Sequence, residues 1–511
     1  MIKPIQTLLW LLSIGLICLG ISFVFPEEGI EVKEGWTLYY PQWEDAHTQD
    51  TVPLFTPEEV LVDAPPPVID STKIQDSIQA YQLAEQRRKQ QISWDPDGEI
   101  PLKRFINQLL GGKKMRVLHY GDSQIEGDRI TADFRNYLQT NYGGGGPGSF
   151  PVLQFVGRLS LKQTASEHWT RHVGFLGKDT SVAHNEYGFR ATFDSYKAQP
   201  LDSVWLRWDV WGAAYSSSKK IHKMHLWMGK FHPVEMFSMD VYVNDTLFTT
   251  EVFEGERSAV ELTYLFPTAP KRIALVCKGP SPEFYAASLE DYYGITVDNI
   301  AMRGSSGTHF TRRSTNQLKE QLAGENVGLI VLQYGGNTVP YLDNRQEIMD
   351  YGKGIARQIK ALKRTFPDAE FLFIGPADMS TKVKGQMTTY PHLPYLRTRL
   401  KEVCYQEGVA FWDLYEVMGG KNSMPLWVAS NPPLAGPDHV HFTPKGAREI
   451  GKLWIKAFKD VVEQVEAENE AAQRALEEQQ RKMDSTQAFM DSIQMNPIKG
   501  DSLIGSKEPS N

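Results

Sequence analysis

The chain has 511 residues, 41% hydrophobic and 23% charged, with a formal net charge of −8 at pH 7. That length exceeds one ordinary domain and calls for two to three. The acidic balance, without a long Lys/Arg stripe, excludes nucleic acid as a main partner. The three cysteines, Cys18, Cys277 and Cys404, show no metal-ligand spacing and imply no structural disulfide.

The chain begins with an uncharged run, TLLWLLSIGLICLGISFVF, from Thr7 to Phe25. As a helix it would extend about 28 Å, close to the hydrocarbon thickness of a bilayer. No small-x-small cleavage site follows it. The expectation is a transmembrane signal anchor over 1–26, with the rest of the chain outside the cytoplasm, on the periplasmic or extracellular face. Residues 27–99 are rich in Pro and acids, as in DAPPPVID at 63–70, and read as a stalk or linker without enough apolar surface for a core.

A strand is expected at 116–120, followed by a helix at 128–140 with Ile130, Phe134, Tyr137 and Leu138 at helical spacing. The Gly-rich YGGGGPGSF at 142–150 lacks the order and the Lys of a phosphate loop and reads as a flexible turn. From 152 to 290 the segments SVWLRWDVWG, KMHLWMG, SMDVYVND and RIALVCKG are short, β-rich and aromatic, with no amphipathic helix between them. They predict an all-β sandwich or jelly roll. After 290, GITVDNIAM, VGLIVLQYGG, AEFLFIGPA and GVAFWDL read as buried strands, with helical patterns at 346–365 and 395–407. Such alternation implies a parallel sheet with helices on both faces. A helix from 444 to about 483 ends in a charged stretch, and 461–511 reads as a charged helical and disordered tail. The expected architecture is therefore an α/β domain of two parts, 100–151 and 291–460, interrupted by a β domain at 152–290. Insertion at an exposed loop tip is the tolerated route to such a chain.

Four features lie along the α/β portion in one order: Gly121-Asp122-Ser123 after the first strand, Gly304 in AMRGSSG, Asn337 in LQYGGNT, and Asp438 with His441 in PDHVHFTPKG. In a parallel sheet the loops after the strands gather at the carboxyl edge, where such folds bind ligands. The residue types fit acyl transfer. Ser123 is the candidate nucleophile, His441 its base, and Asp438, three residues earlier, the acid that orients the imidazole. The backbone N–H groups of Ser123 and Gly304 and the side-chain amide of Asn337 would form an oxyanion hole. Each piece has a plainer reading: Gly-Asp-Ser and Gly-Gly-Asn are common turns, and Asp438 can cap one. Their conjunction, in this order and after these strands, favours chemistry. His439 and His441 lack accompanying ligands at zinc spacing, so neither a metal nor a cofactor is expected.

GDSQ, the loop Gly304, GGN and DHVH resemble the four blocks of the SGNH, or GDSL-type, hydrolase family, placing Ser123, Gly304, Asn337 and His441 in them and Asp438 in the D-x-x-H position. The resemblance covers roughly 100–150 and 290–460. VLHYGDSQIEGDRITADFRNYLQTNYGGGGPGSF, FWDLYEVMGGKNSMPLW and DHVHFTPKGA are similar to the peptidoglycan O-acetylesterase branch, in which a carbohydrate-binding-like β-sandwich interrupts the hydrolase domain. The resemblance implies an SGNH-hydrolase-like fold, triad chemistry and an acetylated cell-envelope glycan as substrate. Thr338 stands where the family usually has Asp after the Asn, and Gln124 and Ile125 follow the Ser where Leu is usual. Three functions compete. The first is a serine esterase removing O-acetyl groups from an envelope glycan such as peptidoglycan. The second is an O-acetyltransferase using the same triad, served by a membrane acyl-export partner. The third is a catalytically silent glycan-binding protein.

Overall fold

The computed structural model describes residues 30–33, 36–38, 84–177, 179–197 and 203–495. The apolar run at 7–25 lies outside them, as do most of the stalk and the end of the tail. Among the described residues no helix is long and apolar enough to cross a membrane. The first unit, within 1–80, contains an antiparallel pair of short strands, Ile30–Lys33 and Trp36–Leu38. Everything described from residue 84 onward belongs to the second unit.

The centre of the second unit is a six-stranded sheet in the order Ile295–Ala301, Met115–Gly121, Val327–Gln333, Glu370–Ile374, Ala410–Trp412 and Ile92–Ser93. All its pairings are parallel except the last, where Ile92–Ser93 runs antiparallel against Ala410–Trp412. The central strands are apolar along nearly their whole length because both faces are covered. Their alternation sorts them cleanly. Leu118, Tyr120, Ile330, Leu332, Phe371 and Phe373 enter one core, and Val117, Leu329, Val331, Leu372 and Ile374 enter the other. Helices cover both faces. Arg345–Thr365 buries Ile348, Ile355, Ile359 and Leu362 on the first. Its start is fixed by Asn344, whose side chain accepts the Glu347 N–H at 3.0 Å, while Glu347 accepts the Asp343 N–H at 2.8 Å. Pro444–Met495 buries Ile450, Trp454, Phe458, Val461 and Val465 on the second. The helix therefore remains part of the core past residue 460 and continues to 495, beyond the predicted end near 483.

The stalk expected to reach 99 ends earlier. Trp412 donates its Nε1–H to the Gln90 carbonyl at 2.9 Å, and Ile92 is buried in the edge strand beside it.

Between the first two strands of the central sheet the chain builds two antiparallel sheets. One contains Ala259–Leu265, Lys223–Gly229, Glu283–Glu290, Thr192–Tyr196 and Trp169–Val173, with Gly148–Phe150 alongside Glu283–Glu290. The other runs Thr246–Phe253, Phe237–Val243, Arg272–Lys278, Val204–Val210 and Leu161–Ala165. Leu226 and Met228 of the first sheet and Leu206, Trp208, Met239 and Leu275 of the second share one apolar cluster. The opposite face of the first sheet is not free. Phe189, Trp227 and Tyr285 belong to the same core as Leu118 and Tyr120, and Tyr120 donates its hydroxyl to the Phe189 carbonyl at 3.0 Å. The β region is thus welded to the central sheet by a shared core, because its aromatic strands are apolar on both faces.

The Gly-rich 142–150 segment is a tight crossing rather than a flexible turn. A Cβ on Gly146, whose φ is 80°, would stand 2.2 Å from the Leu289 carbonyl oxygen, so the two backbones meet only because the side chain is absent.

Candidate active site

The Met115–Gly121 strand ends at a glycine for a steric reason. A Cβ at Gly121 would lie 2.8 Å from Ile125 Cδ1, and Ile125 must fold back there to begin the next segment. That segment, Ser123–Asp128, is a 3₁₀ turn capped by Asp122, whose carboxylate accepts the Gln124 N–H at 2.9 Å. Ser123 therefore leaves the sheet at its carboxyl edge.

Ser123 Oγ lies 2.7 Å from His441 Nε2, and His441 Nδ1 lies 2.8 Å from Asp438 Oδ2. The other Asp438 oxygen accepts the backbone N–H groups of Val440 and His441, both at 3.0 Å. Burial raises the Asp438 carboxyl, but the His441 ring and these two N–H donors outweigh it and hold the group below its ordinary value. The side chains of His441 and Asp438 are 37% and 51% exposed, so solvent reaches this pair. The three residues that sequence order placed together meet in the order expected of a nucleophile, a base and an orienting acid.

Asn337 is the second residue of the Gly336–Tyr341 turn that follows Val327–Gln333, and it lines the same cavity as Ser123, a pocket of about 200 Å³ that also touches Asp122, Tyr334, Tyr341 and Met379. Its amide donates one N–H to the Ser305 carbonyl at 3.1 Å. An amide nitrogen carries two, so one remains for an oxyanion. Gly304 occupies the third position of a turn closed by the Ser305 N–H on the Met302 carbonyl at 3.0 Å, with φ 80°. It belongs to the loop that orients Asn337 but is not among the residues lining the Ser123 cavity. Hydrogen bonds join Ser123, His441 and Asp438, Asn337 lines the same cavity as Ser123, and Gly304 stands in the loop whose Ser305 carbonyl holds Asn337.

Sequence reasoning passed over several residues that position this set. Gln124 donates its amide to the Val440 carbonyl at 2.6 Å and clasps the histidine loop. Arg129 ties Glu126 to the same loop, donating to the Glu126 carbonyl at 2.8 Å and the Phe442 carbonyl at 3.2 Å. Beneath the nucleophile turn, Asn299 donates to the Ile125 carbonyl and to Thr131 Oγ1, both at 2.8 Å, and Thr131 lies 2.9 Å from His119 Nδ1. Burial pushes His119 down to about 3, which keeps that ring neutral at physiological pH. Asp128 holds a positive φ of 72° at the end of the turn. Arg135 grips it through two hydrogen bonds of 2.8 and 2.7 Å. Although burial raises Asp128, Arg135 and Arg158 bring it down to about 2. None of these partners has a spacing that a one-dimensional reading detects; the position of Gln124 directly after the candidate nucleophile was the one available signal.

Asp122 is the unusual group. Burial pushes it up to about 6, against the opposing pull of the Gln124 N–H and His441.

Among the described residues one group of possible metal ligands, His225, Glu290 and Glu325, lies within 4.8 Å. Arg116 and Lys223 are ion-paired to Glu290, and Arg116 also to Glu325, so protein cations already hold these carboxylates.

Residues 267–449 match the model of the GDSL-like Lipase/Acylhydrolase family, a span that includes Gly304, Asn337, Asp438 and His441 and stops short of Ser123. No curated protein sequence matches. A solved structure of a peptidoglycan O-acetylesterase is similar, with a TM-score of 0.58 and 19% identity over 73% of this chain and 99% of that one. At that identity the likeness is one of fold. A family two carbohydrate esterase from Cellvibrio japonicus aligns over 60% of this chain and 98% of its own, with 10% identity and a TM-score of 0.23, too low to carry an argument. The family match and the similar fold coincide on the sheet whose carboxyl edge carries Ser123 and His441, and the chain contains a GDSL-like lipase/acylhydrolase domain.

Proposed function

We propose that the protein is a serine esterase that removes O-acetyl groups from a cell-envelope glycan such as peptidoglycan, through an acetyl-serine intermediate. The 2.7 Å contact of Ser123 Oγ with His441 Nε2 carries this reading. Ser123 Oγ attacks the acetyl carbonyl as His441 takes its proton, and the tetrahedral oxyanion is met by the Ser123 N–H and the free N–H of Asn337. Gly304 is kept as a third donor in this reading. His441 then returns the proton to the departing sugar oxygen, leaving acetyl-serine. Water, deprotonated by His441, attacks that ester, and acetate leaves with Ser123 restored. Asp438 holds the ring in the tautomer this sequence requires.

The exposure of the His441–Asp438 pair favours water as acceptor over a sugar hydroxyl, since a transferase must keep water from its acyl-enzyme. In this proposal the apolar run at 7–25 anchors the chain in a membrane, with the site on the outer face.

The test is acetate release from an aryl acetate and from O-acetylated peptidoglycan. Ser123→Ala is expected to lower the rate by roughly a thousandfold or more on both substrates. Release unchanged in the variant would refute the triad. Faster acetylation of an added sugar acceptor than of water would turn the esterase into a transferase.

A further inference from the structure

A second cavity, of about 520 Å³, lies where the nucleophile turn meets the β region. Glu126 and Gly127 come from the turn, Asn299 and Arg303 from the end of the neighbouring strand and its loop, and Arg158, Arg171 and Arg190 from the β region. Leu176, also in its wall, is 3.6 Å from where a Cβ on Gly304 would stand, so the cavity adjoins the loop that orients Asn337.

Four arginines line this space against one carboxylate, and their partners are unequal. Arg303 is paired with Glu126, and Arg171 with Asp194. Arg158 shares Asp128 with Arg135, its Nη2 standing 3.4 Å from a carboxylate that Arg135 already grips twice. Arg190 donates only to neutral oxygens, those of Ser149 and the Asn299 carbonyl. Both Arg158 and Arg190 are 5% exposed. Among the described residues, Nε and Nη2 of Arg158 and Nε of Arg190 have no hydrogen-bond partner. Each open Nε can give an oxyanion one charge-assisted hydrogen bond, since Nη2 of Arg190 is held by the Asn299 carbonyl and Nη2 of Arg158 faces Asp128.

Burying guanidinium groups with unmade bonds is costly. An anion in the cavity would remove that cost. The imbalance of charge is small, because three of the four arginines already face a carboxylate, which suits a monoanion better than a phosphate dianion. At the mouth Phe155 is 67% exposed, and the Arg171 guanidinium stands 4.8 Å from its ring centroid, leaving an apolar face beside the cationic wall. Burial and the nearby Arg158 push Arg190 down to about 9, against the opposing pull of Asp298.

We propose that this cavity binds the carboxylate of an acidic saccharide, with Arg158 and Arg190 as anchors and Phe155 as the face on which the sugar ring lies. The saccharide part rests on the glycan-esterase reading; the carboxylate part rests on the arginines. The glycan acted on would then be an acidic one, held by its carboxylate in this cavity while its acetyl group enters the adjoining Ser123 pocket.

The experiment is calorimetric titration of the full chain with tetragalacturonate, with its neutral methyl ester and with inorganic phosphate. The acid is expected to bind at least about tenfold more tightly than the ester. Arg190→Gln, with its fold checked by circular dichroism, is expected to erase about tenfold of the acid's affinity. Equal binding of acid and ester, no binding of either, or binding of phosphate in preference to the acid would overturn the proposal, and these comparisons need no variant that folds. Acetate release that survives Ser123→Ala, beside selective binding of the acid, would refute the esterase and leave the carboxylate site standing. Ser123-dependent release with no selectivity for the acid would do the reverse.

Discussion

At the amino end of the Met115–Gly121 strand, Arg116 is wholly buried and bonded to Asp298, Glu290 and Glu325. Just past its carboxyl end, Ser123 meets a histidine and an aspartate that are partly open to solvent. Both clusters join segments far apart in sequence, and both are made of the residue types from which active sites are built. The difference is closure. Every polar edge of the Arg116 guanidinium is bonded to a carboxylate, so nothing can enter. At the other end Asn337 keeps an N–H in reserve beside a cavity. A polar cluster at the end of a strand is a site when it leaves valences unfilled, and a brace when it fills them.

The largest expected effect tests the brace. Arg116→Met would leave three carboxylates in a buried space without the cation that bonds all three, and breaking a buried ion network in this way costs about 3–5 kcal/mol. Denaturant unfolding should show that loss while acetate release per folded molecule stays within about twofold. A loss below about 1 kcal/mol would mean that the network is not what secures the strand's amino end.

The open end responds in rate rather than stability. Asn337→Ala removes the reserved N–H and is expected to lower kcat by about 100- to 1,000-fold with little change in unfolding free energy, the size seen when one oxyanion donor is removed. A fall of less than about tenfold would return Asn337 to the role of a turn residue bonded to Ser305.

The smallest effect lies between the two ends, at Asp122, which is closed in like the brace yet belongs to the site. Its carboxyl is raised from 3.8 to about 6 by burial. Between those values the folded chain keeps a proton that the unfolded chain has released, so this group withdraws stability as pH rises through the window. Asp122→Asn removes the withdrawal. The variant should match the parent near pH 3.5 and exceed it by up to about 3 kcal/mol at pH 7. Unfolding curves that run parallel at the two pH values would show Asp122 to be free of that burial cost.

Much of this was legible in one dimension. The runs at 329–332 and 371–374 are apolar without interruption, and only a strand covered on both faces needs that. Ser123, Asn337 and the Asp438–His441 pair stand directly after such runs or before a helix, so topology alone delivers them to one edge. Gly304 has the same position in sequence and reaches the site through its loop, whose Ser305 carbonyl accepts the Asn337 amide. The aromatic strands of the β region were expected to form a domain of their own, but Trp227 and Tyr285 pack into the core of the central sheet. The 142–150 glycines looked like slack and are close contacts.

Periodicity, glycine placement and residue type therefore determined the class of fold and the candidate nucleophile with its two candidate partners, since each depends on the local pattern and the direction of the strands. Only the tertiary structure decided which polar groups are satisfied. Gln124 against Val440, Arg190 without a carboxylate and Arg116 with three all depend on which distant segments are packed alongside. Charge satisfaction is a property of neighbours in space, and a linear pattern does not carry it.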